Sequence, residues 1–189
     1  MAAWWQALIV LGLVVALHVP LGDYLARTFT GSRHLRVERV VYRTCGVDPD
    51  REQNWKGYLF AVLAFSGFGI LVLLALFLSQ AHLPLSLGHS GLPFLLALDT
   101  AISFTTNTSW QNYAGESTMG HLAQMAGLGT QAFASAAVGM CVGLAVIRGL
   151  VRHDTDRLGN FWVDLTRCFL RVLLPLSVLF GLILIGLGV

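Results

Sequence analysis

A run of polar residues follows a short, mostly apolar segment in the middle of the chain. Residues 92–104 are the apolar segment, and the polar run continues from Thr105 to Gly115. The residue types at the start of this run favour a β conformation. A polar backbone segment held at membrane depth can replace the water shell of a permeating cation with its carbonyl oxygens, and the end of a preceding helix turns its negative dipole toward the same ion. The run therefore predicts a cation filter, which suits potassium because this large ion sheds water readily. A polar extracellular loop is the alternative interpretation.

The charges around the polar run favour a cation. The 91 residues from Gly57 to Ile147 contain no Lys or Arg, whereas Asp99 and Glu116 flank the run. The other eight acidic residues lie in or beside the two basic stretches of the chain, five in 23–52 and three in 154–164. We expect Asp99 and Glu116 to form a vestibule that attracts cations. An exposed loop acid is the alternative for Glu116, and a structural hydrogen bond is the alternative for Asp99.

The elements that must position these residues are membrane helices. Of the 189 residues, 56% are hydrophobic and only 12% are charged, against roughly 25% charged in an ordinary soluble domain. The mean hydropathy of +0.70 points the same way, and a soluble enzyme is excluded. Segments of about 20 apolar residues match a hydrocarbon core of ~30 Å. Four stretches have that length and composition: 3–22, 58–80, 123–147 and 168–189.

The apolar segment 92–104 decides the topology. Its 13 residues would reach only about 20 Å as a helix, which is too short to cross. If the segment enters and returns, the two basic windows, 27–56 and 148–171, lie on the same membrane face. The positive-inside rule then places both windows in the cytoplasm and the N-terminus outside. The sequence thus predicts an all-α integral membrane protein with four transmembrane helices, one re-entrant pore helix and a filter loop.

The stretch 123–147 is rich in Gly, Ala and Ser, which let membrane helices approach closely. Gln124 and Gln131 lie in the same stretch, and they are expected to face protein or a wet cavity because exposure to lipid is costly.

Other chemistries find little support in the sequence. The three cysteines are widely separated, as expected of free thiols packed as small hydrophobic side chains. The histidines do not pair at i, i+4 within any predicted span, which disfavours a haem anchor. Neither a Walker A motif nor the Asp-Lys-Thr-Gly motif of P-type pumps is present, so this chain has no ATP-hydrolysing motif.

Several uninterrupted motifs resemble the potassium-binding A subunit of the Kdp potassium-transporting ATPase, the KdpA family. The resemblance covers essentially the whole chain. It is carried at the polar run by Asp99-Thr100-Ala101-Ile102-Ser103-Phe104, Thr106-Asn107-Thr108-Ser109-Trp110-Gln111 and Tyr113-x-Gly115-Glu116. Flanking motifs are Glu38-Arg39-x-x-Tyr42-Arg43, Gly46-Val47-Asp48, Glu52-Gln53-x-Trp55-x-x-Tyr58, Gln124-Met125-Ala126-Gly127-Leu128, Gln131-x-Phe133-x-Ser135-Ala136-Ala137 and Leu158-Gly159-Asn160-Phe161-Trp162-Val163-Asp164-Leu165.

The resemblance implies a pore of four repeats, each made of a membrane helix, a pore helix and a second membrane helix. In this scheme 1–22 is an extra N-terminal transmembrane helix, and 58–147 is the first complete repeat. Residues 23–57 and 148–167 are cytoplasmic loops, and 168–189 is the first helix of an incomplete second repeat. A member of the family is expected to continue through three further repeats, so the chain is expected to be the N-terminal portion of a longer protein.

The resemblance also implies a function. The chain would be the non-catalytic, potassium-binding and translocating subunit of an ATP-driven, high-affinity import complex in the bacterial inner membrane. The filter would comprise Thr106, Asn107, Thr108 and Ser109, with Gln111 at its outer edge. Potassium is the only cofactor expected, with no organic group. The expected partners are the membrane, an ATP-hydrolysing P-type subunit and small accessory membrane subunits, but no nucleic acid. The alternative is a one-repeat potassium channel that assembles as a homotetramer.

Three residues depart from the family pattern. Ser109, Asp99 and Ser66 stand where the family usually has Asn. Ser109 retains a backbone carbonyl, so a site lined by the backbone is preserved, while Asp99 adds a negative charge close to the filter.

Overall fold

The structure is a computed structural model that describes residues 2–153 and 155–188. Four of its helices are long and apolar enough to cross a membrane, and a shorter apolar helix, Phe94–Thr105, lies between the second and third of them. This arrangement confirms the predicted helical architecture of four long apolar helices and one shorter apolar helix. The four long helices are Trp4–Thr30, Trp55–His82, Ala123–Val151 and Phe161–Gly186.

The first helix, α1 (Ala2–Thr30), continues eight residues beyond the predicted end of the span at residue 22. These added residues mix polar and apolar side chains, and packing anchors the end of the helix, where Thr28 and Phe29 are buried. The backbone carbonyl of Phe29 accepts hydrogen bonds from Arg148 and Arg167. The helix therefore ends where later parts of the chain hold it.

The last long helix begins earlier than predicted. It starts with α7 (Phe161–Arg167), continues through a π-helical stretch, Cys168–Leu173, and ends with α8 (Leu174–Gly186). The side chain of Asn160 sets the start, because its Oδ1 accepts the N–H groups of Trp162 at 3.0 Å and Val163 at 3.4 Å. Asn is a favoured N-cap residue for this reason. Much of the stretch expected as a loop, 148–167, is therefore helical or strand-like: residues 148–151 and 161–167 are helical, and 157–159 form a strand.

The polar stretch 23–57 also contains regular structure. Helix α2 (Arg36–Cys45) begins where the Glu38 side chain accepts the N–H of Leu35, and it ends at Gly46, which has a φ of +65°. Strand β1 (Gln53–Asn54) pairs antiparallel with strand β2 (Arg157–Gly159), with Gln53 opposite Gly159. The two basic windows therefore meet at one end of the helices, as the re-entrant topology requires.

The second and third long helices enclose the short one. Helix α3 (Trp55–Ser79) runs on as a 3₁₀ turn, Gln80–His82, and the short helix α4 (Phe94–Thr105) packs mainly against α3. A four-residue helix, α5 (Gly115–Thr118), leads into a π-helical stretch, Ala123–Gly129, and then α6 (Thr130–Val151). Buried side chains around α4 form a core of Leu73, Phe77, Leu92, Ala97, Ala101, Phe104, Met119 and Ala123.

Small residues in the third long helix allow the close packing that the sequence predicts. An added Cβ at Gly127 would come within 2.7 Å of the Leu76 side chain. The Gln131 amide lies against Gly69 of α3, where an added Cβ would come within 3.1 Å of its oxygen. Gln124 donates hydrogen bonds to the carbonyls of Gly115 and Met119. Both glutamines therefore face protein, as predicted.

One buried side chain, Gln80, fastens the chain on both sides of α4. Its Nε2 donates to the carbonyl of Ser90 at 2.5 Å and to that of Thr118 at 3.0 Å. Its Oε1 accepts the N–H of Gly120 at 3.3 Å. The chain therefore passes the end of α3 at Ser90, continues through α4, and has come back to that same end at Thr118.

We expect Gln80→Leu to destabilise the chain by about 2 kcal/mol, because three buried backbone groups lose their partner. Thermal unfolding in detergent, followed by the amount of monodisperse protein, measures this loss. Ser117→Ala is the matched control, since its hydroxyl is exposed and bonds only to the nearby carbonyl of Ala114. Equal stability of the two variants would contradict the fastening role.

Candidate functional site

The polar run forms an irregular segment, residues 106–114, that follows directly on α4; we call it the return segment. Its start is fixed by the helix, because the N–H of Thr106 still donates to the carbonyl of Ile102 at 2.9 Å. The Thr106 hydroxyl reaches the same carbonyl at 2.9 Å and lies 3.3 Å from the hydroxyl of Thr108. The sequence predicted a β-leaning start, whereas the structure has a tight turn at this point.

A single residue of α4, Ser103, binds three consecutive backbone amides of the return segment. Its carbonyl accepts the N–H of Thr108 at 3.0 Å and that of Ser109 at 3.2 Å. Its hydroxyl accepts the N–H of Trp110 at 2.8 Å. The amide side of the return segment is therefore turned toward the end of the helix.

The carbonyl side of the same residues is free. Across residues 2–153 and 155–188, no donor bonds to the carbonyl oxygens of Thr106, Asn107, Thr108 or Ser109. All four residues are exposed. Since buried or exposed carbonyls normally find protein or water partners, four successive oxygens without a protein donor are available to a ligand.

The backbone adopts an uncommon conformation at two of these residues. Asn107 has a φ of +63° and Ser109 a φ of +53°. This left-handed region is sparsely populated by residues other than Gly, and Asn enters it far more readily than most. The contacts of the segment therefore maintain this backbone conformation, and Asn at position 107 lowers its conformational free-energy cost.

We expect Ser109→Asn to raise the free energy of unfolding by roughly 0.5 kcal/mol, because Asn tolerates the left-handed region better than Ser. Thermal unfolding of the purified protein measures this change. Ser109→Val is the opposite case, since a β-branched residue is strongly disfavoured there. A Val variant as stable as the Asn variant would show that the positive φ imposes no constraint.

A second contact ties the return segment to the third long helix. The hydroxyl of Ser135 donates to Oδ1 of Asn107 at 3.1 Å, and Ser135 is only 2% exposed. Ser135 lies near the middle of the candidate span Ala123–Val151. The return segment therefore lies beside the middle of a helix that is long enough to cross a membrane.

Gln111, in the second half of the return segment, joins a small polar cluster. Its Nε2 donates to the Tyr113 hydroxyl at 3.2 Å, and that hydroxyl lies 3.1 Å from the Thr100 hydroxyl of α4. The Tyr113 hydroxyl also donates to Sδ of Met119 at 3.3 Å. Gln111 is thus half-buried and held in place.

The two acidic residues expected near the filter lie apart from this cluster. Asp99 is exposed on α4, and Glu116 is exposed in the first turn of α5. Within residues 2–153 and 155–188, neither carboxylate forms an ion pair or a side-chain hydrogen bond with the protein. Their role in a vestibule stays a prediction.

The structure gives specific contacts to three residues that stood out in the sequence only within motifs: Ser103, Tyr113 and Ser135. Ser103 and Ser135 each lie between two apolar neighbours in the sequence, and that contrast was the available signal for them. Over residues 2–153 and 155–188 no three His, Cys, Asp or Glu side chains come together in a way that could hold a metal ion. The donors that this site offers are backbone oxygens, which suit a hard monovalent cation better than a transition metal.

At the opposite end of the helices, arginines of the second basic window bind within the chain. Arg148 and Asp164 form a two-pronged ion pair, with Nη1 to Oδ2 at 2.5 Å and Nη2 to Oδ1 at 2.9 Å. The Tyr58 hydroxyl donates to Oδ2 of Asp164 at 3.1 Å. Arg167 donates to the carbonyls of Phe29 and Gly31. These side chains hold the helix ends together.

Arg171 forms a second internal ion pair, with Glu38 of α2. Its Nε and Nη2 both lie 2.5 Å from carboxylate oxygens of Glu38. Burial acts to raise the pKa of Glu38, but hydrogen bonds from the Arg171 guanidinium and the Leu35 amide outweigh it and hold the pKa below its ordinary value. Glu38 is therefore ionised at neutral pH, and α2 is fixed to the last long helix.

Comparison with known proteins shows which family the chain resembles. Residues 8–189 match the KdpA family, described as the potassium-transporting ATPase A subunit. A relative from Kineococcus radiotolerans is 55% identical over 184 residues, which is 97% of this chain and 33% of that protein. A relative from Rhodococcus opacus is 52% identical over 190 residues, which is 100% of this chain and 34% of that protein. Both relatives are named potassium-transporting ATPase potassium-binding subunit.

The chain thus spans about a third of the length of the curated relatives it matches. The match extends over nearly all of its own residues, including the return segment and both basic windows. The chain belongs to the KdpA family of multi-pass membrane proteins, the A subunit of the potassium-transporting ATPase.

Proposed function

We propose that this chain supplies one wall of a potassium filter in an ATP-driven, high-affinity potassium importer. The carbonyl oxygens of Thr106, Asn107, Thr108 and Ser109 would replace the water shell of the ion. The observation that carries the proposal is the run of four carbonyls without a protein donor, held by its amides to Ser103. Oxygens arranged in this way are the ligands that potassium filters use.

The path of the chain supports a re-entrant pore helix. Gln80 binds the carbonyls of Ser90 and Thr118, one on each side of the excursion. The 12 residues of α4 span only about 18 Å, which takes the chain to mid-depth and no further. In this scheme residues 58–147 form one helix, pore helix and helix repeat, and 168–189 begins the next one.

A filter needs oxygens from more than one direction, and a ring of four loops is the known solution. We propose that the other three loops belong to further repeats of a longer subunit, as the size of the relatives suggests. Four copies of the present chain around one axis are the alternative. The two arrangements differ in stoichiometry, since the first has one copy of this sequence per pore and the second has four.

Energy for import would come from a partner. This chain contains no ATP-hydrolysing motif, whereas its relatives are named as subunits of an ATPase. We propose that a P-type subunit hydrolyses ATP while this chain binds potassium, with small accessory membrane subunits completing the complex in the bacterial inner membrane.

The complete coding frame that carries this chain, expressed with its partner subunits, tests the proposal. In a cell without other potassium uptake, we expect growth at low potassium and potassium-stimulated ATPase activity of the purified complex that sodium does not replace. Absence of both effects, with the complex assembled, would overturn the proposal. Four copies of the chain in a complex that conducts without ATP would favour the homotetramer.

The proposed orientation places both basic windows in the cytoplasm and the N-terminus outside, because positive residues remain on the cytoplasmic side. The native cysteines offer a direct measurement: Cys45 is exposed in the basic end, whereas Cys141 and Cys168 are buried. We expect a membrane-impermeant thiol reagent to leave Cys45 unlabelled in intact cells and to label it in inverted vesicles. A cysteine introduced as Ser117→Cys, at the other end, should show the reverse pattern. Labelling of Cys45 from outside would reverse the orientation.

A further inference from the structure

We infer that Ser103 is a positioning residue that sets the ion selectivity of the filter, an inference that rests on the proposed function. The Ser103 side chain is only 9% exposed, and it lies on α4 rather than in the return segment. Its effect on the ion would pass through the backbone that it holds. The group that would act in this way is the Ser103 hydroxyl, as distinct from the Ser103 carbonyl.

The carbonyl of Ser103 both finds a partner at the end of α4 and holds the return segment in place. The last four carbonyls of a helix have no partner within the helix, and that of Ser103 instead accepts the N–H groups of Thr108 and Ser109. The end of α4 is therefore completed by the return segment. Because α4 is packed through the buried side chains of Ala97, Ala101 and Phe104, it provides a rigid template for that segment.

The hydroxyl of Ser103 adds a contact that alanine cannot make. It accepts the N–H of Trp110 at 2.8 Å. Within residues 2–153 and 155–188, this is the one bond from a side chain to a backbone amide of residues 106–111. The bond closes the turn directly after Ser109, whose φ of +53° is costly for a residue with a Cβ. Without it, the last of the four filter residues would be free to relax toward a common conformation.

Relaxation of Ser109 would move its carbonyl oxygen and hence change the fit to ions of different size. A change in carbonyl position affects potassium and rubidium unequally, because the two ions differ in radius and in their demand on the surrounding oxygens. A residue that only supported folding would instead reduce the amount of assembled complex and leave the ratio of ion affinities unchanged.

The experiment compares KM values for potassium and rubidium in the ATPase activity of the purified complex that contains this chain. We expect Ser103→Ala to raise the KM for potassium about fivefold, the change that the loss of one typical hydrogen bond produces. The ratio of the potassium and rubidium KM values should also shift, while kcat stays within about twofold. Ser103→Cys is nearly the same size as serine and accepts hydrogen bonds weakly, so it should show the same shift even if the Ala variant assembles poorly.

Two further variants complete the set. Ser103→Thr keeps the hydroxyl and is expected to restore the wild-type KM ratio. Ser177→Ala is the matched control, because Ser177 lies in α8 and its hydroxyl bonds only to the Leu173 carbonyl one turn away. It should leave both KM values unchanged.

The outcomes separate this inference from the proposed filter. Wild-type KM ratios in both the Ala and Cys variants would overturn the role of Ser103. If Gln111→Arg still weakened potassium binding in that case, the filter itself would stand. If none of these variants changed any KM value in an active complex, both proposals would fail together.

Discussion

Replacement of Asp164 by alanine is expected to remove most of the folded chain from the membrane. Asp164 is 2% exposed and receives both guanidinium nitrogens of Arg148 as well as the Tyr58 hydroxyl. Its loss leaves a buried guanidinium without a counter-charge. Loss of one partner from a buried ion pair costs about 3–5 kcal/mol, which is comparable with the whole stability of many domains. Size-exclusion chromatography of a fluorescent fusion in detergent measures the folded fraction.

Two controls separate the buried pair from a general effect of charge. Glu52→Ala removes an ion pair with Arg152 in which both side chains are well exposed, and such pairs contribute about 0–1 kcal/mol. The double variant Arg148→Met with Asp164→Leu removes both buried charges, so it should recover much of the folded protein. A double variant as unstable as Asp164→Ala would show that hydrogen bonds to neighbours, and not the unpaired charge, dominate.

Arginine in place of Gln111 is expected to weaken potassium binding by more than about a hundredfold. Gln111 is half-buried in the return segment and bonds to Tyr113. A guanidinium held ~5 Å from a bound cation, at an effective dielectric constant of ~20, repels it by about 3 kcal/mol. The KM for potassium in the ATPase assay, or the potassium concentration that supports half-maximal growth, measures the effect.

Gln111→Met is the matched variant for this prediction. It removes the bond to Tyr113 without adding charge, so its KM should rise by about fivefold, as expected for one hydrogen bond. The difference between the Arg and Met variants isolates the electrostatic part, which should change little with salt if the site is shielded from solvent. Undiminished potassium binding by the Arg variant would count against a filter at this segment.

The positions of the long helices could be predicted from hydropathy alone, but their ends could not. The predicted ends at residue 22 and at residue 168 both lie inside helices that the structure extends to Thr30 and back to Phe161. Residues 23–30 and 161–167 stay helical because distant parts of the chain bind them. The Asn160 cap was a local signal that would have given the second boundary. The first boundary is held by hydrogen bonds to the carbonyl of Phe29, and the arginines that donate them lie more than a hundred residues away.

The position of the exposed turn after the short helix could be predicted from residue type and motif, whereas the contacts that support it could not. Thr106 to Ser109 do form one exposed turn at the end of the short helix. The predicted β-leaning conformation was wrong, because three amides turn back onto Ser103 and force positive φ values at Asn107 and Ser109. No local sequence pattern predicts the hydrogen bond between Ser135 and Asn107, because the two residues lie 28 positions apart.

The contacts between the two basic ends of the chain also set the order in which its parts are fixed during synthesis. The bond from Arg167 to the carbonyl of Phe29 joins residues 138 apart in sequence, and the pair of Arg171 with Glu38 joins residues 133 apart. At a synthesis rate of ~5–20 residues per second, about 7 to 30 s separate the partners on the ribosome. During that interval the Glu38 carboxylate and the end of α1 have no partner from the last long helix. The earlier of the two segments therefore stays without these contacts until the later one has been made.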